Sequence, residues 1–231
     1  MSNNPERQQY SLVLVGAFNP AMFQPEWFKR NDILSPEDVD LARDETFSNS
    51  IIVTPQLTIF KTSQLNIKID QNRFEVVADK EPFISVIDFT TKTFENLGGF
   101  MLKAFGFNYS AHYKVKDVAT LHAIGDKLAP KECWSTLLGD ECTGIDRTSG
   151  LMAIQMQKRK SDNTGQYTVI LQPSHFVQPG IFMSCNDHTN LNEEHSSAED
   201  AVDNILKAHS SSLTFMKKVQ TDLMDKVTNN G

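Results

Sequence analysis

Residues 101–115 read Met-Leu-Lys-Ala-Phe-Gly-Phe-Asn-Tyr-Ser-Ala-His-Tyr-Lys-Val, and the alternation inside them decides the fold. Met101, Phe105, Phe107, Tyr109, Ala111, Tyr113 and Val115 fall on one alternate set, and Asn108, Ser110, His112 and Lys114 on the other. Successive side chains of a strand point to opposite faces. The segment is therefore expected to be a long strand with one face in a core and the other open or functional.

Reading outward, the chain gives the same order of elements twice: a strand, helical segments, three strands, then an amphipathic helix. In the first half, residues 11–18 are apolar on both alternate sets and read as a central strand covered on both faces, or nearly so. Pro25 suits the first turn of a short helix, and Ser35-Pro36-Glu37-Asp38 is a helix start with Ser35 as its cap. Strands are expected over 50–61, 64–70 and 73–78, the second with Leu65, Ile67 and Ile69 opposing Asn66, Lys68 and Asp70. Phe83, Ile87, Phe94 and Leu97 then recur at helical spacing before Gly98 and Gly99.

In the second half, Asp117 opens a helix with Val118, Leu121, Ile124 and Leu128 inward. A further turn carrying Trp134, Leu137 and Leu138 and a loop over 139–150 follow. Strands over 150–160, 165–173 and 180–188 place Met152, Ile154 and Met156 opposite Gln155, Gln157 and Arg159, and Ile181, Met183 and Cys185 opposite Ser184, Asn186 and His188. Ser197, with Asp200 three residues on, caps a long helix whose inward stripe is Val202, Ile205, Leu206, Leu213, Met216, Leu223 and Val227. About 30 residues would span roughly 45 Å, enough to cross the body or project to a partner. The fold class is α+β: two tandem duplicated halves, 1–99 and 100–231, forming one mostly antiparallel sheet of eight strands with helices on one face.

The 231 residues include 15 Phe and are 39% hydrophobic, so packing alone can hold the fold. A net charge of −7 disfavours nonspecific attraction to nucleic acid over the whole surface, although a local basic strip remains compatible with it. No run is long and apolar enough for a membrane helix, and the first residues do not read as an export signal. Three cysteines, Cys133, Cys142 and Cys185, without a CxxC pair fit a reducing cytoplasm.

Chemistry-bearing patterns are sparse. Cys185 and His188 have the spacing of half a zinc site, with His195 as a further ligand if a turn follows Asn186; on a strand they point to opposite faces, and the alternative is a core cysteine followed by a polar loop. His112 and His188, beside Asn108, Ser110 and Asn186, suit either acid–base work or a polar partner-facing ladder. Gln157-Lys158-Arg159-Lys160 is the basic cluster, with Lys68 and Lys114 on the same expected face. Trp27 and Phe28 either plug the sheet or anchor a partner. No phosphate loop, nucleophile elbow, HExxH or dinucleotide fingerprint occurs, and no metal or other cofactor is expected.

Phe18-Asn19-Pro20-Ala21, Pro25-Glu26-Trp27-Phe28, Gly106-Phe107-Asn108, Leu128-Ala129-Pro130-Lys131 and Asn186-Asp187-His188 together are similar to a set of prokaryotic proteins of about this length that bring no described activity. That similarity implies a prokaryotic, cytoplasmic origin. At the level of fold, the duplicated order of elements also resembles the TATA-binding architecture.

The functional expectation is a non-enzymatic interaction or scaffold subunit of a prokaryotic complex, antiviral defence among the possible systems, paired with itself or with another protein. Alternatives are a nucleic-acid or small-ligand binding module on the open sheet face and an enzyme using His112 or His188. The expected contact residues are Asn108, Ser110, His112, Lys114, Gln155, Gln157, Arg159, Asn186, His188, Trp27 and Phe28.

Overall fold

The alternation in 101–115 becomes a 13-residue strand at the centre of a nine-strand antiparallel sheet. A computed structural model describes residues 4–44, 46, 51–97, 99–132, 134, 137, 150–192 and 197–228. Its strands are β1 (Arg7–Gly16), β2 (Ile52–Val53), β3 (Leu57–Lys61), β4 (Asn66–Asp70), β5 (Arg73–Ala78), β6 (Leu102–Lys114), β7 (Ile154–Arg159), β8 (Gly165–Pro173) and β9 (Gly180–Asn190). The helices are α1 (Pro25–Arg30), α2 (Pro36–Arg43), α3 (Ile84–Glu95), α4 (Val118–Leu128) and α5 (Ala198–Thr228), with a 3-10 turn at Pro20–Met22. Expected turns and loops carrying Leu138, Cys133, Cys142 and His195 lie outside the described residues.

The strand order is β2-β3-β4-β5-β1-β6-β9-β8-β7. Read outward from the β1–β6 boundary it is a palindrome of the two halves: β5 matches β9, β4 matches β8, and β3 matches β7. That order is the duplication in structural form. The halves join along an antiparallel ladder from Arg7–His112 to Val15–Ala104, with a register shift after Val15.

One expected strand, 50–61, is instead a small hairpin of β2 and β3, which raises the count from eight strands to nine. Pro55 has no N–H for a ladder. Thr54 turns the chain there, its Oγ1 accepting the Leu57 N–H at 3.0 Å. The expected caps are present: Ser35 and Ser197 accept the N–H groups of Asp38 and Asp200, each at 3.1 Å.

All the described helices lie on one face of the sheet. α3 packs on β1 and β5, α5 on β6, β9, α3 and α4, and α1 and α2 close over β3. Tyr10, Leu12 and Leu14 of β1 meet Phe105, Phe107, Tyr109, Ala111 and Tyr113 of β6 in this core, which is rich in phenylalanine. β1 is thus roofed by helices on one side only. Ser11 and Val13 on its other side are nevertheless buried.

Four expected inward residues are exposed. Met101 flanks β6 beside its isolated bridge to Ser197, Leu206 points off the α5 stripe, Met152 precedes the edge strand β7, which starts only at Ile154, and Met156 sits on that strand. α5 does not project; it crosses the sheet, and polar side chains fix where it lies. Gln220, fully buried, donates to the Tyr109 carbonyl at 3.0 Å and accepts the Tyr113 hydroxyl at 3.0 Å. Ser212 donates to Asp187 Oδ2 at 2.6 Å, and Asp187 forms an ion pair with Lys160.

Phe28 is fully buried, its ring 4.9 Å from Phe89 and 5.6 Å from Phe60, so it is removed from the expected partner surface. Trp27 is half-buried against Phe23 and Phe28 and belongs to the same plug. Phe28→Ala should therefore cost about 3–5 kcal/mol of stability, measured by urea unfolding. A loss below about 1 kcal/mol, the range of surface changes, would contradict this packing.

Candidate functional site

The uncovered face is built by the same alternation that builds the core. Register puts Ser11, Asn108, Asn186, Thr168 and Gln157 side by side across β1, β6, β9, β8 and β7. Ser110 and Ser184 form a neighbouring row, and Gln155, Arg159 and His188 share the face. Asn186 donates to Asn108 Oδ1 at 2.7 Å, and Asn108 donates to Ser11 Oγ at 3.2 Å. Gln157 donates to Gln166 at 2.6 Å, and His188 Nε2 lies 3.0 Å from Asn190 Oδ1.

Gly106 makes room for this ladder, since a Cβ there would lie 3.2 Å from the Asn186 amide nitrogen. Each amide has four hydrogen-bonding sites, so the contacts within the ladder leave further donors and acceptors turned outward.

One end of the face is elaborated. In the first half, β4 and β5 are joined by Gln71 and Asn72 alone. The matching connection between β8 and β9 is residues 174–179, folded back against β6. Ser174 Oγ accepts the N–H groups of Phe176 and Val177 at 3.2 and 2.9 Å. It also lies 2.8 Å from His112 Nδ1. Lys114 donates to the Gln178 carbonyl at 3.3 Å, and the Arg7 guanidinium lies 4.6 Å from the Phe176 ring centroid. Gly180 is needed where the loop rejoins β9, because a Cβ would stand 2.5 Å from the Val177 carbonyl oxygen.

This loop walls a groove of about 560 Å³ lined by residues 5–9 and 79–81 with Ser110, His112, Phe176 and Phe182. Phe176 is 68% exposed. The imidazole of His112 packs 4.8 Å from the Phe182 ring. Because Ser174 Oγ already receives two backbone N–H groups, its own proton goes to His112 Nδ1. That fixes the Nε2–H form of the imidazole. Burial, the Arg7 charge and His175 all lower the pKa of His112, in keeping with a neutral ring.

A serine and histidine at this distance invite a nucleophile reading. Ser174 is only 6% exposed, and its oxygen is occupied by two N–H donors. It is a turn-forming hydroxyl that holds the ring.

All nine expected strand residues lie on the one uncovered face: Asn108, Ser110, His112, Lys114, Gln155, Gln157, Arg159, Asn186 and His188. The basic cluster divides, however. Arg159 is on this face, whereas Lys160 pairs with Asp187 on the helix side. Cys185 and His188 fall on opposite faces of β9, and burial pushes the Cys185 thiol up to about 12. Among the described residues, no three His, Cys, Asp or Glu groups gather as metal ligands.

Sequence reading missed Arg7, Ser174, Phe176 and Phe182. The available signal was Pro173-Ser174-His175-Phe176 between two strands, where a serine readily forms a turn. No family model matches this chain, and no curated protein does either.

The lowered pKa gives a signed prediction. Below the ordinary value of 6.5 the unfolded chain takes up a proton that folded His112 still refuses. Stability should fall as pH drops from that value toward the lower folded value, and His112→Gln should flatten this part of the pH–stability curve. Nitrogen-15 NMR of the ring at neutral pH should show the Nε2–H tautomer; a tautomer mixture unchanged by Ser174→Ala would contradict the assignment.

Proposed function

We propose that the protein is a non-enzymatic interaction subunit whose working surface is the uncovered face of the nine-strand sheet. The observation that carries this reading is the amide and hydroxyl ladder from Ser11 to Gln157, lying across five strands with none of the described helices above it. A solvated face has no need of cross-strand register among its polar groups. A docking face does, because preorganised side chains lose less entropy on binding.

The charge of the face supports a partner of opposite sign. Strand register gives it Arg7, Lys61, Lys68, Arg73, Lys114 and Arg159 against Asp70, Glu75 and Asp79, whereas the whole chain has 22 basic and 29 acidic residues. Two copies meeting through this face would oppose their cations, so a complementary partner suits it better than a second copy. We place this work in a reducing cytoplasm, a reading that the free, buried thiol of Cys185 suits.

Asn186→Trp, which raises a bulky ring from the middle of the ladder, should abolish capture of the partner from source lysate while leaving the chain folded, at a stability cost of about 1–3 kcal/mol for the lost Asn108 contact, measured by urea unfolding. Native mass spectrometry of the captured complex checks both its composition and the number of copies of this chain. Retention of the same partner by Asn186→Trp, with loss on substitution of an exposed α5 residue such as Phe215→Ala, would move the working surface to the helix side.

A further inference from the structure

We propose that the part of the uncovered face formed by β6, β9, β8 and β7 binds single-stranded nucleic acid. This inference rests on the face being the working surface and names what occupies it. The face positions of these four strands contain no Asp or Glu, in a chain with 29 acidic residues; the carboxylates of the face, Asp70, Glu75 and Asp79, all belong to the β4 and β5 side. A purely solvated surface of an acidic protein has no reason to exclude carboxylates from one contiguous half of a sheet. A surface that receives phosphates does, since each carboxylate there would repel the ligand.

The remaining groups match a nucleotide chain better than an acidic peptide. An acidic peptide calls for a high density of cations, and this half has few: Lys114 and Arg159, with Arg7 of the adjoining strand at the His112 end. Amides dominate instead, and their paired donor and acceptor atoms match the hydrogen-bonding edges of bases. At the loop end, exposed Phe176 and half-buried Phe182 offer rings for stacking beside His112; the carboxylates that line this groove, Glu6, Asp79 and Glu81, come from the first half of the chain, with Arg7 and Lys80 among them. Stacking on side-chain rings and use of base edges both require bases that are not paired within a duplex.

The test is fluorescence anisotropy with a labelled mixed-sequence 20-nucleotide RNA, the same sequence as DNA, its duplex, and a polyglutamate peptide. With about three phosphate contacts, the single-strand salt slope should be near −2, so raising salt from about 50 to 200 mM should weaken binding roughly 20-fold. Lys114→Ala with Arg159→Ala should weaken binding and reduce that slope by more than half. Phe176→Ala, which leaves the β6 hydrogen bonds in place, should weaken binding about tenfold, a stacking-sized loss. Lys207→Ala with Lys218→Ala on α5 should change nothing.

Equal binding of duplex, equal binding of polyglutamate, or absence of single-strand binding would each overturn the proposal. So would an equal loss in the α5 variant. If the partner in the lysate experiment survives nuclease and is lost in Asn186→Trp, the sheet-face reading stands and this inference falls. If Asn186→Trp leaves capture intact, the sheet-face reading itself falls.

Discussion

The ladder between β1 and β6 is the constraint on which the rest of the molecule depends. It is antiparallel, it joins the two halves, and it sets Tyr10 beside Tyr109 on one face while Ser11 lies beside Asn108 on the other. Strand side chains have a period of two, so a slip of one residue would carry every aromatic side chain of one strand to the wrong face. β6 is strongly patterned throughout, and β1 at its start, so the slipped arrangement would expose Tyr10, Leu12 and Leu14 and turn Arg7 and Gln9 into the core. The flanking strands inherit their orientation from this pair, and the uncovered face follows from the same pairing that makes the core.

Apolar area explains why helices cover one face, but it does not explain why α5 lies where it does. Hydrophobic contact is non-directional, and a helix with a stripe of Ala, Val, Ile, Met and Leu could slide along a sheet of Phe and Tyr. Gln220, spanning the Tyr109 carbonyl and the Tyr113 hydroxyl, resists that slide. So does Ser212, which meets Asp187 within an ion pair that also holds the β7–β8 hairpin through Lys160. Displacing either contact leaves a buried polar group without its partner, at a cost of about 1–3 kcal/mol. These few directed bonds give the packing a unique position.

The fold was legible because its signals are local. Alternation in 101–115, the Ser35 and Ser197 caps and the helical spacing from Phe83 to Phe94 each depend on neighbours within a few residues. The face assignment of Asn108, His112, Asn186 and Arg159 follows from parity alone and was legible for that reason. The groove was not, because it depends on residues that only tertiary structure brings together. Arg7, Ser174, Phe176 and Phe182 come from the first strand, a loop and β9, and parity says nothing about how a loop folds back. Met156 and Leu206 were misread for a related reason: apolar spacing marks an inward face only where another element arrives to cover it.

The inequality of the two halves bears most directly on function. A perfectly duplicated sheet would present a face with a local two-fold axis at the β1–β6 boundary and would offer a partner two equivalent orientations. Two departures break that equivalence. Residues 174–179 replace a two-residue turn and raise Phe176 at one end, and the carboxylates Asp70, Glu75 and Asp79 are confined to one half. Both discriminate between otherwise matching places on the sheet. A polymer with chemically distinct ends, laid across such a face, meets aromatic rings at one end and a carboxylate-free amide surface along its path in one orientation only. Duplication thus supplies the extended platform, and divergence of a loop and a few charges gives it direction.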